Sequence, residues 1–187
     1  MDKRVKTLAL CALLTALALG LSYAERMIPL GLLIPLPGIK LGLANVVTLF
    51  ALCFLGTGPA FGILIARCFL GSLFAGSLSG LIFSLTGGLL AMAVMAAARR
   101  SGRLSVYGVS VCGAAAHNMG QICAAMAVMK TTAVVSYLPV LLVTAVFAGA
   151  LTGAAAAGVF RAAQASGFAA HSREGSKETT EGQGGGA

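Results

Sequence analysis

Acidic residues are almost missing from this chain. Of the five Asp and Glu in 187 residues, Glu174, Glu178 and Glu181 fall near the C-terminus, which leaves Asp2 and Glu25 for the first 170 positions. Chemistry that needs several carboxylates, such as Mg²⁺–diphosphate or two-metal catalysis, therefore lacks its donors. Tryptophan is absent, and charged residues amount to 10%, against about 25% in an ordinary soluble domain. Hydrophobic residues make up 58% and mean hydropathy is +0.95. Too few polar side chains exist to cover a water-soluble fold, and the body is too apolar to be disordered. The two histidines, His117 and His171, lie far apart in sequence, and Cys11, Cys53, Cys68, Cys112 and Cys123 sit inside apolar runs without a Cys-x-x-Cys pair. They are expected to be small buried hydrophobes, not metal ligands. There is no Gly-x-x-x-x-Gly-Lys-Ser/Thr loop to hold nucleotide phosphates. No cofactor and no metal is expected, and the chain is not expected to be an enzyme.

What is present is a set of long neutral windows with charge at their ends. Residues 7–24, 41–66, 68–98, 104–129 and 131–160 carry none. A helix needs about 20 apolar residues to cross a bilayer. Gly56-Thr57-Gly58-Pro59 and Ser77-Leu78-Ser79-Gly80 divide the longest stretch. The pattern predicts an all-α integral membrane protein. Its six transmembrane helices are expected near 5–24, 41–56, 58–77, 79–98, 105–129 and 135–161, the second short for a span. The first is expected to stay uncleaved, because Glu25 and Arg26 stand where small residues would mark a signal-peptide site. Residues 1–165 form one domain. Residues 166–187, rich in Gly, Ser and Glu, are expected to be a disordered tail.

The net charge of +8 marks topology and not nucleic acid, since the basic residues flank apolar runs. With six spans, Lys3, Arg4, Lys6, Arg99, Arg100, Arg103, Arg161, Arg173 and Lys177 share one side, and Arg26, Lys40 and Lys130 the other. The positive-inside rule then places both termini in the cytoplasm. A multi-pass membrane location is expected.

Several polar residues contradict their apolar surroundings. Arg67 falls in mid-span, where a cation is expensive and normally faces the bundle or water. It either binds an anionic ligand group or acts as a structural cation on backbone carbonyls. His117, Asn118 and Gln121 crowd one turn of helix 5, with Gly113 and Gly120 beside them. They either line a polar cavity or link helices. Asn45 on helix 2 and Lys40 at the mouth extend the set. Residues 27–38, with three prolines and two glycines in an apolar run, cannot form a continuous helix. They form either a lid over a cavity or a hydrophobic interfacial loop. Ala12, Ala16 and Gly20 on helix 1, Gly76 and Gly80, and Gly149 and Gly153 have the four-residue spacing that favours close helix packing. The candidate binding set is Lys40, Asn45, Arg67, His117, Asn118 and Gln121. Its ligand would be a small, anionic, partly hydrophobic molecule.

Pro37-Gly38-Ile39-Lys40-Leu41-Gly42-Leu43-Ala44-Asn45, with the His-Asn-x-Gly-Gln core at 117–121, resembles the two hallmark blocks of one bacterial membrane family. That family is called Gx transporter or, in older naming, heptaprenyl diphosphate synthase component I. It is similar to the six-helix substrate-binding S components of energy-coupling factor transporters. The resemblance covers about residues 1–165. It implies a solute-binding subunit, with a membrane coupling subunit and ATPase subunits on other chains. Ala12-Leu13-Leu14-Thr15-Ala16 looks like the small-residue patch by which S components dock, which makes Ala12 and Ala16 candidate docking residues. The older name implies instead a non-catalytic membrane scaffold for a prenyl diphosphate synthase. Its contact surface would be the basic N-terminus and the loop Arg99-Arg100-Ser101-Gly102-Arg103.

Overall fold

The computed structural model describes residues 3–27 and 42–165. Within them the backbone is almost wholly helical: α1 (Lys3–Arg26), α2 (Asn45–Phe54), α3 (Thr57–Ala75), α4 (Leu78–Ser101), α5 (Val106–Met129) and α6 (Leu138–Ala165), the last preceded by a 3₁₀ turn at Ala133–Tyr137. Helix ends follow local chemistry. Ser77 and Ser105 cap α4 and α5 by accepting the N–H of Gly80 and Gly108. Gly76, at φ 59°, stops α3 in the left-handed conformation that glycine tolerates. Gly76 and Gly80 thus shape the turn between α3 and α4. Pro59 and Pro139 lie in first turns, where a missing N–H costs nothing.

α1, α3, α4 and α6 are each long and apolar enough to cross a membrane among the described residues. α2 is different: ten residues rise only roughly 15 Å, about half of a bilayer core. Its described start at Asn45 lies four residues past the expected 41, because Gly42 at φ 82° and the turn at 43–44 precede it. α5 has 24 residues, ample length. His117, Asn118 and Gln121 dilute its hydropathy, and all three are buried.

Neighbour relations explain why those residues are tolerated. α5 packs most extensively on α4 and α6, and α2 touches every other helix. α1 leans on α3 and α2 at the edge. Glycine brings the backbones of α4 and α5 together: a Cβ at Gly120 would come within 2.8 Å of the Gly87 Cα. A Cβ at Gly149 on α6 would meet the Val111 Cα at 2.6 Å. Contacts this close let small-residue faces pack where the hydrophobic effect no longer drives association. The main core joins Leu49, Leu52, Ile63, Leu64 and Met95; a second cluster around Phe83, Ile122 and Leu141 closes the other end of α4–α6.

Candidate functional site

The residues that position the site come from five helices. Along α1, Leu14, Ala18 and Glu25 lie on one face, spaced by four and seven residues, and all three are buried. The stripe ends in a carboxylate, only 3% exposed, that accepts the Gly42 N–H at 2.6 Å. Next to it Arg26, exposed, donates to the Gly71 carbonyl of α3 at 2.9 Å. Two side chains at the end of α1 therefore hold it to the α2 approach and to α3.

Arg67 stands two turns inside α3 from its C-terminal end and is 6% exposed. Its terminal nitrogen donates to Asn45 Oδ1, the first residue of α2, at 2.9 Å. Asn45 Nδ2 and Arg67 Nε have no hydrogen-bond partner among the described residues. His117, 2% exposed, presents its ring between two glycines. A Cβ at Gly42 would stand 3.0 Å from its Cδ2, and one at Gly87 2.9 Å from its Cε1 and Nδ1. The imidazole thus fills space that any other residue at 42 or 87 would contest.

These groups surround a small cavity lined by Ser22, Glu25, Arg26, Gly42, Arg67, Cys68, Gly71, Ser84 and His117. Its volume of about 20 Å³ is of the order of a site for one or two waters. It can grip the polar end of a small molecule. No group of three or more His, Cys, Asp and Glu that could hold a metal occurs among the described residues.

Of the six expected binding residues, Arg67 and His117 line this cavity and Asn45 orients Arg67. Asn118 turns toward α6, donating to the Leu141 carbonyl at 2.6 Å, which is the role of a link between helices. Gln121 is fully buried outside the lining. Lys40 lies outside the described residues, as does most of the proline-rich segment. Ala12 and Ala16 are exposed on the outer face of α1, with Gly20 open below them. Glu25, Arg26, Gly42 and Ser84 join the site without having been expected there. Glu25 continues the Leu14–Ala18 face, but a charge at the end of a span reads in sequence as an ordinary topology signal.

Span-length apolar helices around a buried, charged polar centre define a membrane-type helical protein with a small internal site. One family model shows its kinship: the chain belongs to the heptaprenyl diphosphate synthase component I family, whose model matches residues 14–159. No curated protein and no solved structure matches it.

Proposed function

We propose that this protein is a membrane-embedded binding subunit of a small-molecule uptake system, and that its solute sits in the cavity between α1, α3, α4 and α5. The observation that carries this reading is Arg67, a buried guanidinium in a span-length apolar helix, facing a cavity with part of its donor capacity unspent among the described residues. Cations are rare at such depth and mark ligand or ion paths. A purely structural arginine would be expected to spend its donors on carbonyls, as Arg99 does on the Leu52 and Cys53 carbonyls at the end of α2.

In the full topology the protein crosses a bacterial cytoplasmic membrane six times, with both termini inside and the cavity toward the outside. α2 is then a half-span whose first residues reach mid-membrane depth beside the site, an arrangement transporters use to bring helix ends to a ligand. The exposed Ala12–Ala16 face of α1 suits docking on a coupling subunit, with ATPase subunits on further chains. Protein purified from its native membrane should retain a small molecule identifiable by mass spectrometry. Arg67→Ala should lose at least nine-tenths of it. Equal retention by Arg67→Ala and His117→Ala would refute the cavity.

A second reading rests on the family description itself: a non-catalytic membrane accessory that holds a soluble polyprenyl diphosphate synthase. Arg100 and Arg103 are exposed and would form the contact. Pull-down from membranes separates the two. Recovery of a synthase favours the accessory; recovery of an ATPase with a membrane partner favours uptake.

A further inference from the structure

The charges at the cavity say more about its ligand than its size does. Among the described residues three formally charged side chains line it: Arg67 from α3, and the adjacent Glu25 and Arg26 from α1. Two guanidinium groups against one carboxylate leave a formal charge of +1. The three are not equivalent. Arg67 and Glu25 are buried, whereas Arg26 is exposed and pinned by one nitrogen to the Gly71 carbonyl, so it marks the mouth. α2 starts at Asn45, in contact with Arg67, and a helix start adds partial positive charge. The remaining lining contributes hydroxyl, imidazole, thiol and backbone groups, from Ser22, Ser84, His117, Cys68, Gly42 and Gly71.

We propose that the solute carries a single negative charge, as a monocarboxylate, held between Arg26 and Arg67, and that Glu25 is the residue that rejects dianions. The proposal rests on the binding reading above. The buried Arg67 and Glu25 are formally neutral together and the surplus charge is Arg26 at the exposed mouth, so a neutral solute would leave that guanidinium without an ionic partner. A dianion would overcompensate it and face the Glu25 carboxylate. One carboxylate matches both the charge and the fork geometry of a guanidinium. It also fits the small volume, with any apolar remainder of the solute outside the charged pocket.

The test uses the full chain in detergent, with thermal unfolding followed by the loss of helical circular dichroism. The probes are propionate, its neutral counterpart propionamide, and the dianion malonate, each exchanged against chloride at constant ionic strength. Propionate should raise the midpoint saturably by several degrees, and propionamide and malonate should not. Arg26→Gln should weaken propionate at least tenfold, and Arg67→Gln should abolish its effect. Glu25→Gln keeps an acceptor for the Gly42 N–H but raises the formal charge to +2, so malonate should now stabilise more than propionate. Because that last result is a gain, misfolding cannot imitate it. If propionamide stabilises as well as propionate and Arg67→Gln removes both effects, the charge rule falls and the binding site stands. Equal action of malonate on the unsubstituted chain overturns the role of Glu25. If none of the probes acts on the unsubstituted chain or on Glu25→Gln, the charge rule falls, and a co-purifying solute lost in Arg67→Ala would still uphold the site.

Discussion

His117 packs its ring where two glycines leave room for it. Its ring occupies the space above Gly42 and Gly87, and a methyl at 87 would sit 2.9 Å from it. Gly87→Ala should therefore move the imidazole out of the lining and reduce solute retention at least tenfold. The same methyl would also stand 3.0 Å from the His117 carbonyl oxygen, where α4 and α5 pack closely, so a lowered melting temperature would report helix separation, and a loss of binding at unchanged melting temperature would report displacement of the ring alone. Lys130 gives an independent check at the same scale. It ends α5 at φ 51°, a conformation that costs a side chain-bearing residue on the order of 1 kcal/mol. Lys130→Gly should raise the melting temperature slightly. Part of the site was legible at this level. Arg67 and His117 stood out because a bilayer penalises polarity, so each demands a reason. Glu25 and Arg26 did not, since charges at the end of a span are ordinary topology signals. Only the burial of Glu25 on the Leu14–Ala18 face distinguishes it.

At the scale of elements, α2 is the unusual piece. Its helix covers only about half of a bilayer core, yet both of its ends are tied down by arginines from other helices. Arg67 of α3 holds Asn45 at its start, and Arg99 of α4 grips the Leu52 and Cys53 carbonyls at its end. The latter pairing satisfies acceptors that the last turn of a helix leaves open. Arg99→Ala should cost about 1–3 kcal/mol, the usual range for hydrogen bonds from charged groups, read as a lowered thermal midpoint. α5 shows the complementary case, a long helix whose polar turn is screened by α4 and α6. Asn118→Ala should remove a link to α6 worth roughly 0.6 kcal/mol on average for such bonds. Charge-free windows made the existence of helices plain from sequence. They did not reveal where α2 begins, because that depends on the positive φ of Gly42 and on the Glu25 carboxylate that receives its N–H. Both are tertiary facts. Asn118 and His117 likewise look equivalent in sequence, and only packing sends one toward α6 and the other toward the cavity.

For the whole molecule, the distribution of charge and the six-pass topology stand or fall together. Ser101, which ends α4, and Thr131, just after α5, flank α5 on opposite sides and are exposed. Ser101→Cys should react with an impermeant maleimide only from the cytoplasmic side of sealed vesicles, and Thr131→Cys only from the outside. The unsubstituted chain supplies the blank. Labelling of both positions from one side would reject the six-span arrangement.

α1 is the least enclosed of the span-length helices. Its inward stripe is narrow, its outer face shows Leu8, Leu13, Leu17 and Tyr23, and near the site two polar contacts, Glu25 with Gly42 and Arg26 with Gly71, fasten its end. Local opening of a protein begins where few apolar contacts must be broken. The cheapest excursion of this bundle is therefore α1 swinging away from α3, and that motion removes one wall of the cavity and two of its three charges at once. Loading and emptying of the site would then be a property of a single helix hinging at its weakly held edge, with the other five left in place.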